Sequence, residues 1–167
     1  MTETPRGIVV FDIDGVLADV RHRLHHVEGR RKDWPAFFAS MDDDEPLPDG
    51  VDLARRYAED GYRIAYLTGR NEAYRRLTTA WLERQGLPDG RLVMRREDDR
   101  RPARVFKPQA VSRLARDGDI VEVVDDDLAV VRVLRDEGWT VRHADWMRPD
   151  EEEQESLFDA QEIEGRT

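Results

Sequence analysis

The run Gly7-Ile8-Val9-Val10-Phe11 is short, apolar and rich in β-branched residues, and it leads straight into Asp12-Ile13-Asp14-Gly15. An apolar run without alternation reads as a strand buried on both faces. Arg63–Leu67 and Ile120–Val124 come close to the same pattern, with shorter candidates at Leu92–Met94 and Thr140–Arg142. Helical periodicities fall between them. Val51, Ala54, Tyr57 and Ala58 end at Gly61. Tyr74, Leu77, Trp81 and Leu82 follow a capping Asn71 and end at Gly86. Val111, Leu114 and Ala115 end at Gly118, and Leu128, Val131 and Leu134 run from Asp127 to Gly138. Glycine is the usual stop for such segments. This alternation predicts an α/β fold, a Rossmann-like parallel sheet with helices on both faces. The chemistry of such sheets gathers beyond the carboxyl ends of the strands.

Two regions interrupt the alternation. Residues 17–48, rich in His, Arg and aromatics, are expected to form a small helical cap inserted into a core spanning residues 1–146. Residues 147–167 carry Asp150, Glu151, Glu152, Glu153 and Glu155 and read as an acidic C-terminal tail, either mobile or a surface helix. The stretch Ile163-Glu164-Gly165-Arg166 within it resembles a protease-site linker. A chain of 167 residues has room for one core and such an insertion.

The absence of cysteine excludes disulfides and thiolate metal sites. The first residues lack the basic and apolar regions of a signal peptide, and no apolar run approaches a membrane span, so a cytoplasmic location away from membranes is expected. A net charge of -10 argues against broad electrostatic binding to nucleic acid, though not against capture of one strand end by a local basic patch. Arg95, Arg96, Arg100, Arg101 and Arg104 form such a patch. Glu97, Asp98 and Asp99 lie among them, so a solvated, salt-bridged loop is an equal reading.

Acidic groups recur where strands should end. Asp12 and Asp14 follow the first strand, with Gly15 allowing a turn that brings both to one pocket. Asp125, Asp126 and Asp127 follow the third long run. Clustered carboxylates repel one another until a divalent cation is bound, and an all-oxygen donor set favours Mg²⁺ over zinc. Thr68-Gly69-Arg70 closes the second strand, offering a hydroxyl and N–H groups to a phosphoryl oxygen, and Lys107 supplies a cation. Each element also has a plain reading as turn, helix cap or surface charge. Their common position at the starts of βα segments favours a shared site.

The set Asp12-x-Asp14-Gly15, Thr68-Gly69-Arg70, Lys107 and Asp125-Asp126 resembles the four motifs of the haloacid-dehalogenase superfamily over roughly residues 7–141. The resemblance implies a phosphatase in which Asp12 attacks phosphorus and becomes a transient aspartyl phosphate. Asp14 would protonate the leaving oxygen and then activate water. Thr68 would hold a phosphoryl oxygen, and Lys107 would balance charge and orient Asp12. Mg²⁺ would be held by Asp12, the backbone carbonyl of Asp14 and Asp126, with Asp125 in support. Val16 departs from the Thr of many relatives, which removes a hydroxyl but no charge.

A narrower likeness is to the 3′-phosphatase domains of bacteriophage polynucleotide kinase-phosphatases. It rests on Thr68-Gly69-Arg70, Thr79-Ala80-Trp81-Leu82, Leu92-Val93-Met94-Arg95 with the arginines after it, and Val124-Asp125-Asp126. This implies substrate contacts from Gly69, Arg70, Arg21, Arg23 and Arg96, and a nucleic-acid 3′ end or a nucleotide as substrate. No G-x-x-x-x-G-K-[ST] loop occurs, so kinase activity is not expected. A 5′(3′)-nucleotidase or small-metabolite phosphatase, and a non-catalytic binding module of the same fold, are the alternatives; no obligate protein partner is implied. His22, His25 and His26 read as cap surface and His143 as structural. Trp34, Phe37 and Phe38 read as cap packing, with base stacking as the other role.

Overall fold

The computed structural model describes Thr4 and residues 6–167. In chain order its elements are β1 (Ile8–Phe11), β2 (Ala18–Asp19), α1 (Arg21–Leu24), α2 (Trp34–Ala39), β3 (Glu45–Pro46), α3 (Pro48–Glu59), β4 (Arg63–Asn71), α4 (Arg75–Arg84), β5 (Gly90–Arg95), α5 (Ala103–Leu114), β6 (Ile120–Asp125), α6 (Leu128–Asp136), β7 (Val141–His143) and α7 (Glu151–Phe158). Five strands form one parallel sheet in the order β5-β4-β1-β6-β7, while β2 and β3 pair as a short antiparallel ribbon. The α/β architecture and the strands agree with the sequence pattern, and Gly61, Gly86, Gly118 and Gly138 follow their helices at positive φ.

Strand alternation divides the core between two layers. Val9 and Phe11 face one cluster with Ala54 of α3 and Trp81 of α4. Ile8 and Val10 face the other, with Phe106 and Val111 of α5 and Leu134 of α6. All four β1 side chains are buried, as a central strand requires. Each large apolar side chain removed from water contributes roughly 1.5–3 kcal/mol.

Strand order reverses at β1: the chain passes to β4 and β5 on one side, then crosses to β6 and β7 on the other. The crevice beyond the carboxyl ends of β1 and β6 is therefore where a parallel sheet binds its ligand. Residues 17–48 form β2, α1, α2, β3 and short 3₁₀ turns, and their Arg23 and Asp44 reach Asp14 and Arg70 at this end. Their own apolar cluster joins Val20, Leu24, Phe37, Phe38 and Met41 to Leu157 of α7. The acidic segment opens with Asp150, which forms a reciprocal capping box with Glu153. It continues through a wide turn at Asp159–Ile163, and Ala160, Gln161 and Glu162 are buried there.

Candidate active site

Asp12 leaves β1 with its backbone N–H bonded to the Val124 carbonyl, so β6 fixes where the side chain starts. The chain then turns through Gly15 at φ 79°, a left-handed conformation natural to glycine. Space demands glycine as well, since a Cβ at this position would lie 2.1 Å from Asp126 Oδ2. Lys107, from α5, places Nζ 2.9 Å from Asp12 and 2.7 Å from Asp125. Asp12, Asp14, Lys107 and Asp125 are all buried.

The electrostatics of this group are unbalanced. Burial, opposed by Lys107 but reinforced by Asp125 and Asp14, pushes the Asp12 carboxyl up to about 7. Asp126 is raised well above the usual carboxylate range, first by burial and then by Asp12 and Asp125. Burial works against the charge of Lys107, but Asp12 and Asp125 outweigh it and raise the ammonium further. One lysine does not offset the surrounding carboxylates.

Asp12, Asp125 and Asp126 can each offer an oxygen within 4.8 Å of the others. Asp126 Oδ1 is buried without a hydrogen-bond partner. A hard divalent cation fits this donor set, because it accepts carboxylate oxygens and relieves their repulsion. The Asp14 side chain stands apart from the trio, in a different network.

That network joins Asp14 and Arg70 to two residues of the 17–48 segment, Arg23 and Asp44. Asp14 Oδ1 accepts from Arg70 Nε (2.9 Å) and Nη2 (2.6 Å) and from Arg23 Nη2 (3.1 Å). Asp44, between α2 and β3, accepts from Arg23 Nε at 2.8 Å and Arg70 Nη2 at 2.8 Å, and His22 Nε2 lies 2.7 Å from it. Burial opposes ionisation of Asp14, yet Arg70 and Arg23 outweigh it and hold the carboxyl below its usual range. Two buried guanidiniums thus face two buried carboxylates, and the Nη1 atoms of both Arg23 and Arg70 lack a hydrogen-bond partner. Trp81 Nε1 holds the Asp44 carbonyl at 2.8 Å.

The other sequence-predicted residues are distributed as follows. Thr68 is fully buried, and its Oγ1 accepts the Arg70 N–H at 3.1 Å. Gly69 lies against the backbone of Thr167. Arg21 pairs with Asp19, and Arg96 pairs with Asp98 in solvent; neither joins the buried network. His25 and His26 lie against each other with their rings tilted by 39°, and His143 contacts the Asp126 carbonyl. Beside the buried network, a groove of about 480 Å³ is lined by Trp34, Phe38, Tyr74, Arg95 and Arg100 among others. Phe38 stacks on both Trp34 and Tyr74. Asp44 and Thr167 were not singled out from the sequence: one is third in a row of aspartates, the other follows Arg166 outside any motif.

The family model described as polynucleotide kinase PNKP phosphatase domain matches residues 6–146. A chain of the Pnkp1/Rnl/Hen1 RNA repair complex superposes with a TM-score of 0.67 at 21% identity, covering 81% of this chain and 41% of that one. Class C acid phosphatase from Bacillus anthracis, with tungstate bound, gives 0.60 at 19% identity, covering 94% and 80%. At these identities the likeness is one of fold. Membrane-associated phosphatidylinositol transfer protein 3 of mouse and human is 31% identical over 93 residues, or 54% of this chain. The chain spans only 8% of the length of those curated relatives. Among the described residues, no helix is long and apolar enough to cross a membrane.

Proposed function

The chain belongs to the polynucleotide kinase PNKP phosphatase-domain family, within the haloacid-dehalogenase superfamily of phosphatases, and on that premise we propose that it is a Mg²⁺-dependent polynucleotide 3′-phosphatase working through an aspartyl phosphate on Asp12. The observation that carries the reading is Lys107 held between Asp12 and Asp125 with Asp126 alongside, at the carboxyl ends of β1 and β6.

Asp12 is the nucleophile, and Lys107 keeps one of its oxygens oriented. The Asp12 oxygen forms a bond to phosphorus while the bond to the leaving oxygen breaks. Asp14 delivers a proton to that leaving oxygen, then takes one from the water that cleaves the acyl phosphate and regenerates Asp12. The free Nη1 donors of Arg23 and Arg70 are suited to phosphoryl oxygens. As they turn to substrate, their hold on Asp14 weakens, and its proton affinity rises toward that of an acid. The Thr68 hydroxyl, which accepts from the Arg70 N–H, keeps its own proton to donate to a phosphoryl oxygen. Held by Asp12 and Asp126 with Asp125 in support, Mg²⁺ would neutralise the carboxylates and the incoming phosphate charge.

The nucleic-acid part of the reading is supported by the adjoining groove, where aromatic faces and arginines suit stacked bases and a phosphate backbone. The test compares phosphate release from a 3′-phosphorylated oligonucleotide with release from free 3′- and 5′-mononucleotides, in Mg²⁺ and in EDTA. Preference for the oligonucleotide, lost in EDTA, is expected. Turnover of free nucleotides alone would reject the polynucleotide assignment in favour of a nucleotidase.

A further inference from the structure

Residues 159–167 do not project into solvent: Ala160, Gln161 and Glu162 are buried, Gly165 and Arg166 line the groove, and Thr167 reaches Asp14. Lys32 pairs with Asp159 at 3.4 Å and with Glu164, and Arg104 pairs with the buried Glu162 at 2.5 Å. Gly165, at φ 57°, packs against the backbone of Arg100 and Arg101, where a Cβ would lie 2.5 Å from the Arg100 carbonyl oxygen. The Arg166 guanidinium lies 5.1 Å from the centre of the Trp34 ring. Thr167 is buried, with its backbone against Gly69 and its hydroxyl donating to Asp14 Oδ2 at 2.5 Å.

From these contacts we infer that residues 165–167 occupy the path of the substrate's terminal nucleotides and hold the site closed until a strand end displaces them. The chemistry of each contact matches. An aliphatic hydroxyl on Asp14 stands where the reaction leaves an alcohol on that carboxylate. A planar cationic group on Trp34 stands where a base would stack. The groove bordered by Gly165 and Arg166 also carries Arg95 and Arg100, whose charges suit a phosphate backbone better than the cationic Arg166 beside them. The segment is anchored by Lys32, Arg104 and Gly165, none of which takes part in the proposed chemistry. Seat and site are therefore separable by mutation.

The identification of the displacing ligand as a nucleic-acid end rests on the function proposed above; closure of the site by the segment does not. The test uses the full chain with Gly165→Val, which cannot keep its backbone conformation or its contact with Arg100, and separately with Lys32→Ala, which releases Glu164 and Asp159. Each is assayed in Mg²⁺ on p-nitrophenyl phosphate and on a 3′-phosphorylated oligonucleotide. A site open only a tenth of the time binds with one tenth of its intrinsic affinity. Unseating the segment should thus raise kcat/KM on both substrates by up to about tenfold, mostly through KM. Unchanged or lower kcat/KM on p-nitrophenyl phosphate in a folded variant would overturn the closure. If Gly165→Val does not fold, Lys32→Ala decides alone. Should the wild-type chain turn over p-nitrophenyl phosphate but no oligonucleotide, the polynucleotide reading fails while the small substrate still tests the seat.

Discussion

Replacing the proposed nucleophile should make the cation-free protein more stable, not less. Asp12 is ionised at neutral pH only against burial and neighbouring carboxylates, which lift its carboxyl from 3.8 to about 7. A folded-state pKa above the unfolded value gives stability that is present at low pH and lost as pH rises through the folded value. At about 1.4 kcal/mol per pH unit, the interval from 3.8 to about 7 corresponds to about 4 kcal/mol. Asp12→Asn keeps the side chain neutral at every pH. Its advantage should be near zero at pH 4, grow through pH 5 and 6, and level off near pH 7. For a domain of this size about 4 kcal/mol corresponds to a rise in Tm of roughly 10 °C. The assay is thermal unfolding followed by circular dichroism in EDTA at pH 4, 5, 6, 7 and 8, wild type against variant. Repeating the series in Mg²⁺ should narrow the gap, because a bound cation stabilises only a chain that holds it. A variant no more stable than wild type in EDTA at pH 8, with its fold intact, would refute the charge imbalance at the site. Phosphate release by the variant should be lost throughout.

Two further substitutions probe the same architecture. Gly15→Ala places a Cβ 2.1 Å from Asp126 Oδ2 and forces a non-glycine residue to φ 79°, so Mg²⁺-dependent phosphate release should fall at least about a hundredfold and the Mg²⁺-induced rise in Tm should shrink. Asp44→Ala strips Arg23 and Arg70 of a shared counter-ion, with an expected cost of about 3–5 kcal/mol in urea unfolding; a loss below about 1 kcal/mol would mean that water reaches the pair.

The sheet was legible because each long strand is an unbroken apolar run with a glycine-stopped helix after it. The clustering of Asp12, Asp125 and Asp126 was legible because they stand where the central strands β1 and β6 end, whereas Thr68 falls inside β4 and Lys107 in the second turn of α5. Distinguishing between neighbours was harder. Arg21 and Arg23 lie two positions apart on α1, about 200° around a helix, so one reaches Asp14 while the other faces Asp19. Arg95 and Arg96 are adjacent at the end of a strand, where side chains alternate; Arg95 is buried beneath Phe106 and Arg96 is exposed. Asp42, Asp43 and Asp44 are chemically identical in the sequence, and only the turn leading into β3 decides which one meets the guanidiniums. The segment that carries Thr167 is held by ion pairs of Glu164 with Lys32 and of Glu162 with Arg104, 132 and 58 residues apart, which no local pattern encodes.

The 17–48 segment is not an independent part. Of the four charges in the buried network, Arg23 and Asp44 come from the 17–48 stretch, while Asp14 follows β1 and Arg70 lies on β4. A segment borrowed from a related protein would arrive with different charges and would retune Asp14, the proposed acid. Changes of substrate range made by swapping this insertion would therefore also shift the pH at which the enzyme works.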